Sequence, residues 1–281
     1  MAGTSNDTYA VLIHGWGGSP KTWDSIRWPA TWTTFAYTLP GHADRAQEGP
    51  WTIRSAAENL AEYVRSVVPD GVRPIIIAHS MGGQLSMLLN VDHPELVAGE
   101  VVIDPAYNGG DSPDELARTH ADLAALHRDP HAMMRDFVKG AFGPYLNNAA
   151  RRTILDDIER TNGQALIDYY ASEYLDDGAF GLRHDTPIVA KRRTRPVLGF
   201  YMTDARGDAE RDCNPDDLDV DISLWKEAGH RHFMHMEDPE RFSREVVEWT
   251  VQHGFAGADD LLTLSGSEST KSALVGTPAT V

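Results

Sequence analysis

The chain is short of cysteine, of basic residues and of long apolar runs, and each shortage closes off a class of function. Cys213 is the only cysteine among 281 residues. No internal disulfide can form, which fits a reducing cytoplasm. Asp212, Asn214 and Asp216 surround it and would hold the thiol protonated, against a nucleophilic role. Lysine and arginine number 25 against 42 acidic residues, a formal net charge of −17. So acidic a chain argues against sequence-independent nucleic-acid binding, which needs basic patches, and disfavours docking on anionic membranes. No apolar run approaches the roughly 20 residues of a membrane helix. The opening Met1-Ala2-Gly3-Thr4-Ser5-Asn6-Asp7 has no basic residue and no apolar stretch. It does not read as a signal peptide, so a cytoplasmic location is expected. What the chain has is 41% hydrophobic and 24% charged residues, ample for a sizeable core in one large or two small domains.

Five short apolar runs are continuous rather than alternating: Tyr9 to Ile13, Phe35 to Tyr37, Ile75 to Ile77, Val101 to Ile103 and Val197 to Tyr201. Continuous runs suit strands buried on both faces, as in a parallel sheet. Helical patterns separate them. Ser55-Ala56-Ala57-Glu58 reads as a capping box, with Leu60, Val64, Val67 and Val68 following on one face. Asp238 caps a further helix with Pro239 at its first position, and Phe242, Val246 and Trp249 form its stripe. Strands alternating with helices predict an α/β fold with a mostly parallel central sheet. From Tyr107 to Ala190 the pattern is helical, notably Glu115 to Leu126 and Ile154 to Tyr170. Residues 8–106 and 191–255 are therefore expected to form the core and 107–190 an inserted helical cap. Residues 256–281, rich in Gly, Ser and Thr, are expected to be a disordered tail.

One stretch carries the chemistry. Ala78-His79-Ser80-Met81-Gly82-Gly83 lies between the isoleucine run and the helical Gln84 to Leu89. Strand, sharp turn and helix are implied, with a serine at the apex, as in the Gly-x-Ser-x-Gly elbow. Ala78 replaces the first glycine and is still small. Two further stretches agree with it: His14-Gly15-Trp16-Gly17-Gly18 after the first strand, and Gly229-His230-Arg231-His232-Phe233-Met234-His235-Met236-Glu237-Asp238-Pro239 near the end. Leu39-Pro40-Gly41-His42 adds a fourth local match.

Together these motifs resemble the α/β-hydrolase superfamily, across about Tyr9 to Gly254 apart from the cap. The resemblance implies Ser80 as nucleophile and a histidine base from the last motif. His232 stands three residues after Gly229 and five before Glu237, the family's spacing, and is preferred over His230 and His235. A metal site on the His-x-His-x-x-His cluster is the alternative, but no helix-borne zinc motif accompanies it. For the acid, the resemblance points to the strand after the cap, where Asp204 comes soonest and Asp208 follows. Asp104, at the end of the Val101 to Ile103 run, is the rival. The family's oxyanion donors map to the backbone N–H groups of Trp16 and Met81. Trp23, Trp28, Trp32 and Trp51, or a cap histidine such as His120, His127, His131 or His184, could line a pocket.

The expected activity is that of a serine hydrolase cleaving an ester, lactone or related acyl bond of a small, mostly apolar substrate, with no cofactor and no metal. Two other classes stay open. One is another reaction on the same triad: carbon–carbon bond hydrolysis, a lyase, an acyl transferase or a cyclase. The other is a non-catalytic ligand-binding module. An aspartate-dependent haloalkane dehalogenase is disfavoured, because Ser80 holds the nucleophile's place. Neither the substrate nor the oligomeric state is legible in these residues.

Overall fold

The structure, a computed structural model, describes residues 8–226 and 229–265. Its centre is a six-stranded parallel sheet in the order β2-β1-β3-β4-β5-β6. The strands are β1 (Thr8–Ile13), β2 (Trp32–Tyr37), β3 (Ile75–His79), β4 (Gly99–Ile103), β5 (Val197–Tyr201) and β6 (Val220–Leu224). All five continuous apolar runs are strands. The sixth strand was not apparent in the sequence. It lies at the sheet edge with every residue only partly buried, so it lacks the unbroken hydrophobicity that betrays the others.

The helices follow from capping and face. Helix α1 (Ile53–Val67) starts before the expected capping box: Thr52 is the cap, its side chain accepting from Ser55 N. Helix α2 (Gly82–Asp92) follows the elbow. Between β4 and β5 run α3 (Pro113–Arg128), α4 (Pro130–Ala141), α5 (Asn148–Arg160), α6 (Gly163–Tyr174) and the short α7 (Thr186–Ala190). The reciprocal capping box is here, at Ser112 and Glu115 on α3. The expected Ile154 to Tyr170 helix is two helices, because Asn162 turns its side chain onto Gln164 N and Ala165 N and restarts the chain as α6. The last elements are α8 (Asp204–Cys213), α9 (Met234–Glu237), α10 (Pro239–Gln252) and α11 (Asp259–Ser265). Asp238 caps α10 as expected, accepting from Arg241 N at 3.0 Å.

One sheet face packs on α1 and α2 through Leu60, Val64, Leu85 and Leu88, and the other on α10 through Phe242, Val246 and Trp249. A third cluster, including Met134, Ile154, Ile158, Leu166 and Phe233, joins the inserted helices to the loop before α9. A buried charged network stitches the sheet to α8. Arg193 meets Glu100 at 3.0 Å and Glu210 at 2.8 Å, all fully buried. Removing either partner from such a set leaves a buried charge uncompensated. Residues expected to trail from Ala256 instead include α11, whose Asp260 is buried and accepts from Thr31 Oγ1 and Gly257 N. Residues 1–7 and 266–281, on which the leader and tail expectations also rest, lie outside the described residues. Among the described residues, no helix is long and apolar enough to cross a membrane.

Strand order reverses at β1, which has β2 on one side and β3 on the other. In a parallel sheet the carboxyl ends of the strands splay apart at such a reversal, leaving a crevice. The residues leaving β1 are His14-Gly15-Trp16, and the residue leaving β3 is Ser80. The topology alone brings two of the sequence motifs together.

Candidate active site

Ser80 has φ of +53°, a left-handed conformation that a serine adopts at a cost. The turn is held from three sides. Ser80 N donates to Ile103 O at 3.1 Å, and Ser80 O accepts from Gly83 N at 2.8 Å and Ala106 N at 3.1 Å. The chain can bend so tightly because Gly82 carries no side chain: a Cβ there would come within 2.9 Å of Ile13 O and 2.8 Å of His14 O. Gly15 is required for the same reason, since its Cβ would lie 2.8 Å from Ser80 Cβ.

The loop after β1 is tied to the loop after β2 by two buried histidines. His14 Nδ1–H donates to Gly15 O at 2.8 Å while its Nε2 accepts from Leu39 N at 3.2 Å. His42 Nδ1–H donates to Pro40 O at 3.0 Å and its Nε2 accepts from Gly17 N at 3.0 Å. Each ring therefore serves as one donor and one acceptor, which only a neutral imidazole can do. Burial lowers both: His42 falls to about 4, and His14 goes well below its ordinary value, helped by the neighbouring His42. The Trp16 and Met81 backbone N–H groups have no acceptor among the described residues.

His232 comes from the loop before α9. Its Nδ1 lies 2.7 Å from Asp104 Oδ2. Asp104 directly follows β4 with φ of +37°. Burial alone would raise its carboxyl, but the hydrogen bond from His232, the charge of that ring and the Arg206 guanidinium hold it below the usual carboxylate range. His232, Asp104, Ser80, Gly15 and Trp16 line one cavity of about 410 Å³.

A sequence model of the alpha/beta hydrolase family matches residues 10–245. The chain belongs to that family. Among curated proteins it is 35% identical over 88 residues to the pimeloyl-[acyl-carrier protein] methyl ester esterase of Neisseria meningitidis serogroup B, a match covering 31% of this chain and 32% of that one. It is 29% identical over 126 residues to esterase Rv0045c of Mycobacterium tuberculosis, covering 44% and 39%. The chain thus spans about a third of the length of the first relative. Its fold is shared with the enol-lactonase from Burkholderia xenovorans LB400, at a TM-score of 0.67 and 16% identity over 87% of this chain and 91% of that one. It is also shared with an esterase from Exiguobacterium antarcticum, at a TM-score of 0.69 and 13% identity over 87% and 92%.

Within this alpha/beta hydrolase the expected Asp204 is not the carboxylate that meets His232. Asp204 does not approach His232; its exposed carboxylate pairs with Lys226. The reason is the length of the connection. Strand β5 ends at Tyr201, and Thr203 already caps α8, so Asp204 is committed to a first helical turn. Asp208, one turn on, is exposed and faces Arg211. Asp104, the rival, is the residue that meets His232.

The three histidines of the last motif diverge to separate partners, which is not how ligands of one metal stand. His230 Nδ1 lies 3.1 Å from Glu237 Oε2, which also accepts from Arg231 N and so pins the loop that carries His232. His235 is fully buried against Trp23 and meets Thr22 Oγ1 at 2.9 Å, and burial lowers it to about 3. His79 also lies inside the elbow motif. Its Nε2–H donates to the His232 carbonyl at 2.9 Å, so the elbow itself holds the histidine loop. Its place next to Ser80 was the available signal.

Trp23, Trp28, Trp32 and Trp51 belong to core clusters rather than the cavity, and no cap histidine lines it. Trp16 does, its indole N–H donating to Leu166 O at 3.1 Å. Cys213 is raised to about 12, by burial first and then by Glu210, rather than by Asp212 or Asp216.

Proposed function

We propose that this chain is a serine hydrolase, cleaving an ester, lactone or related acyl bond of a small, mostly apolar substrate through an acyl-Ser80 intermediate. The observation that carries the reading is the Asp104–His232 contact at 2.7 Å opening onto the cavity that Ser80 lines. In this reading His232 Nε2 takes the proton of Ser80 Oγ as the oxygen attacks the carbonyl. Asp104 accepts from Nδ1–H, which sets the ring's tautomer and favours the imidazolium that forms. The Trp16 and Met81 N–H groups receive the developing oxyanion, a contribution on the order of 100- to 1000-fold per donor. His232 returns its proton to the leaving oxygen, then activates water to free Ser80.

Residues 107–190 act as the cap. Met134, Val138, Ile154 and Ile158, all from its helices, make one wall of the cavity apolar, which suits a small substrate better than a polymer. The names of the relatives, an esterase of an acyl-carrier methyl ester and a second esterase, support the same bond class. A reducing, cytoplasmic setting goes with the single buried thiol.

A fluorophosphonate probe tests the reading. It is expected to add one adduct to the folded protein, at Ser80, with none on Ser80→Ala. Hydrolysis of short nitrophenyl esters should vanish in the same variant. An intact mass showing no adduct would sink the nucleophile assignment.

A further inference from the structure

The inserted helices bring to the cavity a carboxyl group with an oxygen that nothing among the described residues satisfies. Glu173, on α6, is 2% exposed, lines the cavity, and its Oε1 has no hydrogen-bond partner among the described residues. Burial pushes this carboxyl well above its ordinary value. A buried polar group with no partner is costly and calls for an explanation. A second unpartnered oxygen faces the same space: Asp157 on α5 accepts from Ser19 Oγ at 2.6 Å through Oδ2, while its buried Oδ1 is unmatched. Asp122, at the exposed rim, accepts from Tyr170 OH at 3.3 Å. Arg206 is the only guanidinium among the lining residues. It is already engaged by Pro105 O at 2.8 Å, Tyr107 O at 2.9 Å and Asp104 at 3.6 Å.

Aromatic faces complete the picture. Tyr170 stands 5.6 Å from Trp16 and 5.3 Å from Tyr174, centroid to centroid, and all three line the cavity. Carboxyl groups interleaved with electron-rich rings, and no free cation among the lining residues, are the chemistry that receives an alkylammonium. The chain's net charge of −17 would draw such a group toward the protein.

We propose that the substrate is an ester carrying an alkylammonium group, which sits against Glu173 and the rings of Tyr170 and Trp16 while the acyl carbonyl lies at Ser80. The assignment deepens the serine-hydrolase reading and rests on it for the position of the carbonyl. Glu173 is the specificity-determining residue. Its carboxylate forms the ion pair with the ammonium.

The test separates recognition from chemistry. Full-length Ser80→Ala, which has no nucleophile, is titrated by calorimetry with butyrylcholine and with its uncharged carbon isostere, 3,3-dimethylbutyl butyrate. The cation is expected to bind about tenfold more tightly or better. Adding Glu173→Gln should bring that ratio down to within about threefold of unity. Circular dichroism checks the fold, and Asp122→Asn in the same background, expected to lower the ratio by a smaller factor, stands in should the first variant misfold. Equal affinities, a preference for the isostere, no binding of the cation, or a ratio unmoved by both variants overturns the assignment. None of those results touches the fluorophosphonate test of Ser80, so the two readings fail separately.

Discussion

Two of the described residues held at positive φ without being glycine are Ser80 and Asp104, and strain of that kind persists where surrounding bonds over-determine it. Asp104 is held by the Phe200 carbonyl through its own N–H at 3.0 Å, and its carboxylate is already aimed at His232. Asp104→Asn should lower kcat on the order of 1000- to 10000-fold with KM little changed, because an amide there favours the wrong imidazole tautomer. Asp204→Asn breaks only an exposed pair with Lys226 and should leave kcat within about twofold. Steady-state kinetics on one nitrophenyl ester decides it; the opposite order would return the acid to α8.

Elements contribute by where they begin and end. Thr203 starts α8 so soon after β5 that no loop remains to deliver a carboxylate. Asn162 does the reverse, capping α6 just after α5 ends so that α6 starts in a new direction and presents Tyr170, Glu173 and Tyr174 to the cavity. Its side chain satisfies Gln164 N at 2.9 Å and Ala165 N at 3.4 Å. Asn162→Ala is therefore expected to cost about 0.5–2 kcal/mol, read as a lower midpoint in urea at unchanged slope. A midpoint equal to the parent's would mean that packing, not the cap, sets the direction of α6.

At the scale of the whole molecule, four histidines are buried as neutral rings: His14, His42, His79 and His235, each lowered first of all by burial. The unfolded chain protonates them near their ordinary value of 6.5, whereas the folded protein resists until about 4 at His42 and about 3 at His235. Between those limits the unfolded state binds more protons, so stability must fall as pH falls. Each ring contributes a slope of about 1.4 kcal/mol per pH unit within its own window. Urea denaturation at intervals from pH 7 to 4 should show a steep, continuous loss, flattened in part by replacing His42. Stability independent of pH across that range would contradict the neutral clasp that orders the loop after β1.

Local chemistry was enough to read five of the six strands and the turn at Ser80. Unbroken apolar runs mark strands buried on both faces, and glycines beside Ser80 mark a turn too tight for side chains; both signals lie within a few residues of what they determine. The expectation of His232 as base rests likewise on its spacing from Gly229 and Glu237. For the acid the sequence favours Asp204 over Asp208 and Asp104, whereas the fold brings Asp104 to His232. That choice depends on which strand lies beside β3 and on how soon a helix follows β5, and both are settled only when the sheet assembles. The same holds for His79, whose partner is 153 residues away, and for Glu173, an ordinary helical glutamate until folding buries it at the cavity wall. A side chain's type can be read along the chain, but its partner is fixed by distance in space, which only the packed sheet and the helices over it supply.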